Sequence, residues 1–476
     1  MTANEDEKFC YFRYSRKQMN TFQVTPSPPA PETIIKNLLE WLTLAHGRTG
    51  SEDANQLHQQ LLQLRQAPIP TAQRIKILDL LYSQTERVVI TELRTLHEIS
   101  LPASRKLRQR MKLVLDLLVM LTQDYFNTLA ELFDPESQDT PRSPHLSLHR
   151  AMKAIAWQIR INHLLASPPG IGLWQQLNAA FRTARRLGLE SAPGPGEEQS
   201  IQHIYTNILL AAIAQPASFS SAELEFISNY IEQICCSIEL EQTSPLDSKG
   251  IFWIDLSKDF PAHALIRRMP AAHIDILYFS CDAIAKIVTR HQSQLEKGIS
   301  ATILGLPIFA DTHAGKAVLR RLISLWGAPS KRKFPRRRQS YRAHLCAGLG
   351  KLWQLIKSPA SKTDLSEWMI TNESPDGYAL MHISGQTEDL RVGDIVALQP
   401  TGEQAEAVPV WHVCIIRWAI SENPEHVELG LELLAPSAVA AEIAHPLELS
   451  SGSVAALILP ETPPLRITES LVLPTG

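Results

Sequence analysis

Three arginines, Arg337, Arg338 and Arg342, stand close together in the sequence R-R-Q-S-Y-R. A guanidinium group is a planar fork of donors that can bind a phosphate, or the O6 and N7 edge of guanine, through two hydrogen bonds. It can also stack on a base. One residue type could therefore hold a ligand that carries both phosphates and guanines. An isolated basic stretch can equally be a solvated surface, so the arginines alone leave both interpretations open.

A second polar group, Asn372, Ser374 and Gly377, follows in the sequence N-E-S-P-D-G. These residue types are typical of an ordinary turn. At the entry to a strand, the Asn and Ser side chains also present short donors and acceptors, and Gly allows a ligand to approach the backbone closely. The segment therefore predicts a turn that could also carry a binding site.

The arginines belong to a cationic cluster in a mildly acidic chain. The 476 residues carry a net charge of −3, whereas residues 331–342 hold seven cationic side chains and no acidic one. When these seven charges are set aside, the rest of the chain carries −10. The pattern indicates one cationic focus on an acidic body, and it gives no reason to expect a general polynucleotide-binding surface.

The elements that must position these residues change character near residue 327. Before it, apolar residues recur with a helical period, as in Ile35, Leu38, Leu39 and Leu42. After it, alternation with a period of two predicts short strands, most clearly over residues 426–434. Further strands are predicted over residues 378–383, 394–398, 410–418, 455–460 and 465–472. Several short strands at this spacing favour a small closed sheet.

The sequence thus predicts a multi-domain α + β protein, in which a large, mostly helical region precedes a small antiparallel β-barrel. We divide it into a polar, proline-rich tail (1–32), a helical region (33–326), a basic linker (327–342), the barrel (343–440) and a C-terminal β-extension (441–476). A subdivision of the helical region near residues 190–200, where Pro, Ser, Gly and charged residues cluster, is left open. The run at residues 250–256 could be an isolated strand or a buried loop.

The order of the motifs resembles that of PilZ domains. These domains carry R-R-x-x-x-R, then [D/N]-x-S-x-x-G, then L-x-V-G-D and further strands, and here the third motif is Leu390, Val392, Gly393 and Asp394. The resemblance covers about 100 residues, and some PilZ proteins of proteobacteria also have a long helical N-terminal region. It implies a bacterial second-messenger receptor that binds cyclic di-GMP in signal transduction.

The resemblance also implies roles for the residues of both motifs. In PilZ domains the arginines lie on a flexible segment that folds over the ligand and contacts guanine and phosphate, so the three arginines here take those roles. The Asn, Ser and Gly of the second motif lie on the barrel surface on the other side of the ligand. Asn372 stands where Asp is commoner in the family, so an amide oxygen replaces a carboxylate as acceptor. Arg337 permits two stacked ligand molecules, and the stoichiometry is left open.

Several classes of protein and site are not indicated. No run reaches the roughly 18 to 20 apolar residues that a membrane span needs, and the N-terminus has no apolar signal core. The six cysteines have no C-x-x-C spacing that would suggest zinc or a disulfide framework. We therefore expect a cytoplasmic protein with reduced thiols and no metal or cofactor. No nucleophile, base and orienting group can be assembled from motifs, so an enzyme is not expected.

Three functions from different classes follow. The leading hypothesis is a receptor that binds cyclic di-GMP where the linker meets the barrel and relays binding by domain rearrangement to a protein effector partner, through the helical region. The first alternative is a helical interaction scaffold with a non-binding barrel. A single-stranded nucleic-acid-binding protein is less favoured, because the strands show few aromatic stacking candidates on a common face. No downstream pathway is indicated.

Overall fold

The structure is a computed structural model. It describes residues 31–44, 50–97, 99–132, 144–194, 196–234, 238–245, 249–271, 275–331, 334–358, 364–387, 390–401, 410–423, 425–444, 453–463 and 466–474. Most of the predicted tail, residues 1–30, and two members of the basic cluster, Arg332 and Lys333, therefore lie outside the described residues.

Helices dominate the described residues before residue 327. They are α1 Pro31–Leu44, α2 Gly50–Gln66, α3 Thr71–Arg94, α4 Arg105–Leu132, α5 His145–Leu164, α6 Leu173–Arg186, α7 Ile201–Ile213, α8 Ser221–Ile234, α9 Asp282–Glu296 and α10 His313–Leu322. A π-helical turn, Ile323–Gly327, ends the region. Helix α1 begins inside the predicted tail.

The helices form because their apolar residues recur on one face. In α4, Met111, Val114, Leu118 and Leu121 are buried at intervals of three or four residues, which is the spacing of one helical face. The buried residues between Ile34 and Trp326 form one hydrophobic cluster. Helices on both sides of residues 190–200 therefore share a core.

A small sheet is built into the helical region. It consists of β1 Ile251–Asp255, β2 His263–Ala264 and β3 Ile276–Ser280, in the order β2-β1-β3 with antiparallel pairing. All five residues of β1 are buried. The run at residues 250–256 thus contains a central strand, and it is neither isolated nor a loop.

Six strands close into an antiparallel barrel. They are β4 Arg337–Ala347, β5 Ser366–Ser374, β6 Gly377–Ser384, β7 Ile395–Thr401, β8 His412–Ser421 and β9 Val427–Ala435, in the order β4-β5-β6-β9-β8-β7, with β7 pairing again to β4. Leu345, Trp368, Leu380, Ile416 and Leu429 fill the interior. The predicted fold class, a helical region followed by a small antiparallel barrel, is confirmed. Strand β4 begins at Arg337, within the segment predicted as linker.

The barrel is followed by a second small sheet. It comprises β10 Val439–Ile443, β11 Val454–Leu459 and β12 Ser470–Val472, in that order. A helix that follows β4, α11 Leu349–Lys357, packs with this sheet and the barrel through a cluster that includes Leu352, Ala397 and Leu457.

The helical region and the barrel are joined by specific contacts. Leu101 is buried in the barrel cluster, and its N–H donates to the Leu390 carbonyl at 3.0 Å. The Arg108 guanidinium donates to the Ser421 carbonyl at 2.8 Å and to the Ser421 hydroxyl at 2.7 Å. The Ser421 N–H in turn donates to the Ala166 carbonyl at 2.8 Å. Both backbone groups of Ser421, at the end of β8, are thus held by the helical region.

The described residues also show whether the chain has helices that could span a membrane, groups of metal ligands or free thiols. Among the described helices, none is long and apolar enough to cross a membrane. The described part of the chain holds no group of three or more side chains that could ligate a metal. Cys281, Cys346 and Cys414 are buried free thiols, and burial raises the pKa of Cys346 to about 11. The other three cysteines lie outside the described residues.

Buried His149 in α5 makes the stability of the helical region depend on pH. Its side chain is fully buried, and Nε2 lies 3.1 Å from the Gln199 carbonyl oxygen. Burial lowers its pKa from 6.5 to about 4, and the nearby Lys153 acts in the same direction. The unfolded chain therefore binds a proton on this residue at a higher pH than the folded chain. The stabilisation is complete above pH 6.5 and is lost as the pH falls towards 4.

We expect His149→Gln to flatten the pH dependence of the free energy of unfolding between pH 6.5 and 4. The pKa shift of His149 corresponds to roughly 3 kcal/mol of stability, which the wild type loses over this pH range and the variant does not. Urea denaturation across this pH range measures it, with the exposed His313 replaced by Gln as the control. An unchanged slope in His149→Gln would contradict the assignment.

Candidate ligand-binding groove

Five residues on five neighbouring strands form one row across the outside of the barrel. Arg338 lies opposite Asn372 and Asn372 opposite Ala379, and the row continues from Ala379 to Gly430 and from Gly430 to Trp418. Directly opposite residues of antiparallel strands share a face. At roughly 4.8 Å between strands, the row spans about 19 Å from Arg338 to Trp418.

A second, shorter row runs beside the first. Ser374 lies opposite Gly377, and Gly377 lies opposite Glu432. These residues are each two positions from a member of the first row, so they face the same way. The structure therefore brings Asn372, Ser374 and Gly377, the whole second motif, onto one surface.

A groove with a volume of about 250 Å³ lies over these rows. Its lining residues are Phe334, Arg336, Asn372, Glu373, Ser374, Asp376, Gly377, Tyr378, Ala379, Arg417, Trp418, Gly430, Leu431 and Glu432. Phe334 and Arg336 come from the segment just before β4, so the basic segment reaches the groove. The small residues Ala379 and Gly430 lie at the centre of the longer row.

Two glycines are required by close approach. A Cβ atom at Gly430 would lie 1.8 Å from the Trp418 Nε1, so the indole lies over the glycine backbone. A Cβ atom at Gly377 would lie 1.9 Å from the Leu431 carbonyl oxygen on β9. Gly377 therefore has a structural role that is independent of any ligand.

Ser374 is also held within its own turn. Its hydroxyl lies 2.7 Å from the Asp376 carboxylate and 3.2 Å from the Gly377 carbonyl oxygen, and it can donate to either. Strands β5 and β6 are joined by two residues, Pro375 and Asp376. The turn and the binding-site interpretations of this motif are thus compatible, because the same side chains form the turn and line the groove.

The groove mixes cations and carboxylates. Arg417 and Glu432 form an ion pair, with Nε 2.5 Å from Oε2. On the β4 side, the Tyr341 hydroxyl donates to Glu373 Oε2 at 3.0 Å, and Gln339 donates to the same oxygen at 3.3 Å. Burial, reinforced by the Glu373 carboxylate, raises the pKa of Tyr341, so its phenol stays protonated and continues to donate.

The three arginines of the first motif are placed differently. Arg337 and Arg338 are exposed and lie opposite Glu373 and Asn372, and their side chains make no hydrogen bond or ion pair with another described residue. Arg342 lies further along β4, outside the groove, and its Nη1 donates to Glu367 Oε1 at 2.6 Å. That hydrogen bond holds the pKa of Glu367 below its usual range. All three lie on a strand, and Arg338 shares the row with Asn372.

Sequence reasoning missed Phe334, Arg336, Arg417, Trp418 and Glu432. Gly430 offered a signal, because a glycine within an alternating strand often marks the close approach of another group. Arg336 stands immediately before the predicted pair and shares its chemistry. The register that brings Trp418 beside Gly430 has no signal in one sequence, because it depends on a β-bulge between Ile416 and Trp418.

Comparison with known proteins covers most of the chain. The family description "Cyclic-di-GMP receptor FimW, N-terminal domain" matches residues 36–245, and "Cyclic-di-GMP receptor FimW, middle PilZ domain" matches residues 354–439. A curated protein of Pseudomonas aeruginosa, the cyclic-di-GMP receptor FimW, is 21% identical over 92% of this chain and 84% of its own length. The second motif lies inside the matched PilZ range. The arginines of the first motif lie between the two matched ranges.

The contact between Trp418 and Gly430 predicts a coupled loss of stability. We expect Gly430→Ala to lower the free energy of unfolding by about 1–3 kcal/mol, because the new methyl group displaces the indole. In a Trp418→Ala background the same change should have little effect, which a double-mutant cycle by urea denaturation measures.

Gly350→Ala is the matched control, because its added Cβ would meet no heavy atom within 4 Å. Gly350 lies in the first turn of α11, so Gly350→Ala should change the free energy of unfolding by no more than about 0.5 kcal/mol. Equal losses for Gly430→Ala in both backgrounds would show that Trp418 does not cover this glycine.

Proposed function

Because the chain belongs to the FimW family of PilZ-domain receptors, in which an N-terminal domain precedes a middle PilZ domain, we propose that it binds cyclic di-GMP in the barrel groove as a non-enzymatic receptor. Cyclic di-GMP is the ligand that the matching family descriptions and the P. aeruginosa relative name. The observation that carries the proposal is the cross-strand row, which has Arg338 and Asn372 at one end and Trp418 at the other.

The arginines supply the contacts for phosphate. Cyclic di-GMP carries two phosphates and therefore two negative charges, and a guanidinium fork can bind each phosphate with two hydrogen bonds. Arg336 lines the groove, and Arg338 stands at the end of the row beside Asn372. The Arg338 side chain is exposed, so it can turn towards a ligand without leaving a partner among the described residues.

The opposite end of the groove suits a guanine base. The Trp418 indole offers an aromatic face, and stacking on such a face contributes roughly 1–3 kcal/mol per base. The Watson–Crick edge of guanine presents N1–H and N2–H donors, for which the Asn372 amide oxygen and the Asp376 carboxylate are acceptors on the lining of the groove. Phosphate and base contacts are thus spread along a surface about 19 Å long.

Arg342 is expected to contribute less than Arg338. Its guanidinium is bound to Glu367, so it would have to leave that carboxylate to reach a ligand in the groove. The resemblance to PilZ domains nevertheless assigns it a ligand contact, and we retain it as part of the proposed site.

Strand β8 provides a route from the groove to the helical region. Arg417 and Trp418 line the groove, and Ser421, three residues beyond Trp418, accepts two hydrogen bonds from Arg108. A ligand that orders the groove end of β8 would therefore also change the stability of the Arg108 contact. We propose that binding is relayed to the helical region, and to an effector protein bound there, through this junction.

Arg338→Ala should weaken cyclic di-GMP binding about 5- to 150-fold, because one arginine fork contributes about 1–3 kcal/mol. Isothermal titration calorimetry on the full chain measures the dissociation constant and the stoichiometry. Arg391→Ala, which removes an exposed arginine away from the groove, is the matched control and should bind like the wild type. No heat with the wild-type chain would refute the receptor proposal and favour the helical scaffold.

The relay predicts that cyclic di-GMP slows amide hydrogen exchange on both sides of the junction, in residues 101–108 and 419–423. In Arg108→Ala the ligand should still bind within about 3-fold of the wild-type affinity, since Arg108 is outside the groove. The slowing in residues 101–108 should then disappear.

Arg105→Ala, which removes only an exposed ion pair with Glu425, is the control for that measurement. Ligand-dependent slowing that persists in Arg108→Ala would show that the signal takes another route.

A further inference from the structure

Arg417 and Trp418 both point outward because of the bulge in β8. Ile416 and Ala419 are both buried in the barrel interior, although residues three positions apart in a regular strand face opposite sides. The bulge between Ile416 and Trp418 adds the extra residue that makes this possible. Two adjacent side chains, one cationic and one aromatic, therefore line the same groove.

The Arg417 guanidinium already forms an ion pair with a carboxylate of the protein itself. Arg417 Nε lies 2.5 Å from Glu432 Oε2, and both side chains are about half exposed, at 54% and 43%. Glu432 belongs to the row of Ser374 and Gly377. Its carboxylate therefore occupies the Nε edge of the Arg417 guanidinium, through which Arg417 could otherwise bind a phosphate.

The surroundings of Arg417 also favour an anion. Burial lowers the pKa of Arg321 of α10, Glu223 raises it, and Arg417 lowers it by a smaller amount than either, so Arg321 and Arg417 are close enough to repel each other. Arg321 is held in place, because it packs over the Phe219 ring at 3.7 Å and donates to the Ser218 carbonyl at 2.5 Å. An anion bound to Arg417, whether a carboxylate or a phosphate, reduces the repulsion between Arg417 and Arg321 that Glu223 offsets in part.

We infer that Glu432 is a built-in competitor for the ligand phosphate at Arg417, and that cyclic di-GMP must displace it to bind. This inference rests on the proposed function of the groove. The exchange replaces one carboxylate–guanidinium pair by a phosphate–guanidinium pair. Glu432 is then left unpaired beside a dianionic ligand, so its negative charge lowers the affinity of the resting protein and sets the ligand concentration at which the receptor responds.

The decisive variant is Glu432→Gln, which keeps the size of the side chain and removes its charge. We expect it to bind cyclic di-GMP roughly 3- to 10-fold more tightly than the wild type, because it removes both an exposed ion pair and a like-charge repulsion. Glu428→Gln is the control of equal charge. It lies on the same strand outside the groove and should leave the dissociation constant within about 2-fold.

A second comparison assigns the effect to Arg417. Arg417→Ala should weaken binding. In the Arg417→Ala background Glu432→Gln should give a smaller gain than in the wild type, because the displaced ion pair is absent and only the like-charge repulsion is removed. Calorimetry on the full chain, with thermal unfolding to verify that each variant is folded, measures all five proteins.

The possible outcomes separate the two proposals. If the wild type binds and Glu432→Gln binds equally well, Glu432 does not affect binding and the competitor proposal is wrong. If Glu432→Gln binds more weakly, the proposal is also wrong, and Glu432 contributes to binding, for example by recognising guanine. If neither protein binds cyclic di-GMP, the proposed function is wrong and the competitor fails with it.

Discussion

Alternation of side chains along closed barrel strands is the constraint on which the groove depends. A six-stranded barrel must fill its interior with every second residue, so a regular strand can present only the others to solvent. Bulges break this rule in β4 between Arg338 and Tyr341, in β5 between Ile370 and Asn372, and in β8 between Ile416 and Trp418. All three lie beside the groove. They let polar and aromatic side chains collect on one outer surface while the interior remains apolar.

The attachment of the barrel to the helical region follows from the same strand. Ser421 ends β8, and both its carbonyl and its N–H are bound by groups of the helical region. Arg108 is half-buried there, and the partial loss of solvent lowers its pKa. A guanidinium that leaves water needs other acceptors for its donors, and the Ser421 carbonyl and hydroxyl provide them. The junction therefore has a defined geometry. A shift of β8 would change the hydrogen bonds between Ser421 and the helical region.

Charge inside the groove is balanced locally, even though the chain as a whole is mildly acidic. Arg417 faces Glu432, and the carboxylate of Glu373 accepts from Tyr341 and Gln339. The exposed Arg337 and Arg338 at the other end have no such partner among the described residues. An anionic ligand would therefore find unpaired arginines at the β4 end of the groove and, at the β8 end, an arginine that is already paired with Glu432. In the proposed site, the two ends of a symmetric dinucleotide would therefore have different environments.

Local spacing in the sequence was sufficient for several conclusions about this protein. The change from a helical period to alternation predicted the helical region and the barrel, because both periods arise from backbone geometry within a few residues. The order of the two motifs predicted the PilZ family, and the family comparison confirmed it. The strand at residues 427–435 was predicted almost residue by residue, because Val427, Leu429 and Leu431 alternate strictly.

Tertiary structure alone decided which residues meet. The row from Arg338 to Trp418 joins positions 80 residues apart, and its register depends on bulges whose positions are set by core packing and not by residue type. The arginine segment was predicted as a linker, yet from Arg337 onward it is a barrel strand, because its backbone pairs with β5 from Arg337 and with β7 as well from Arg342. Pairing of β4 with β5 also brings Arg342 to Glu367, which lies two residues from Met369, the residue opposite Arg342. The groove gains Arg417 and Trp418 from a strand that carried no motif.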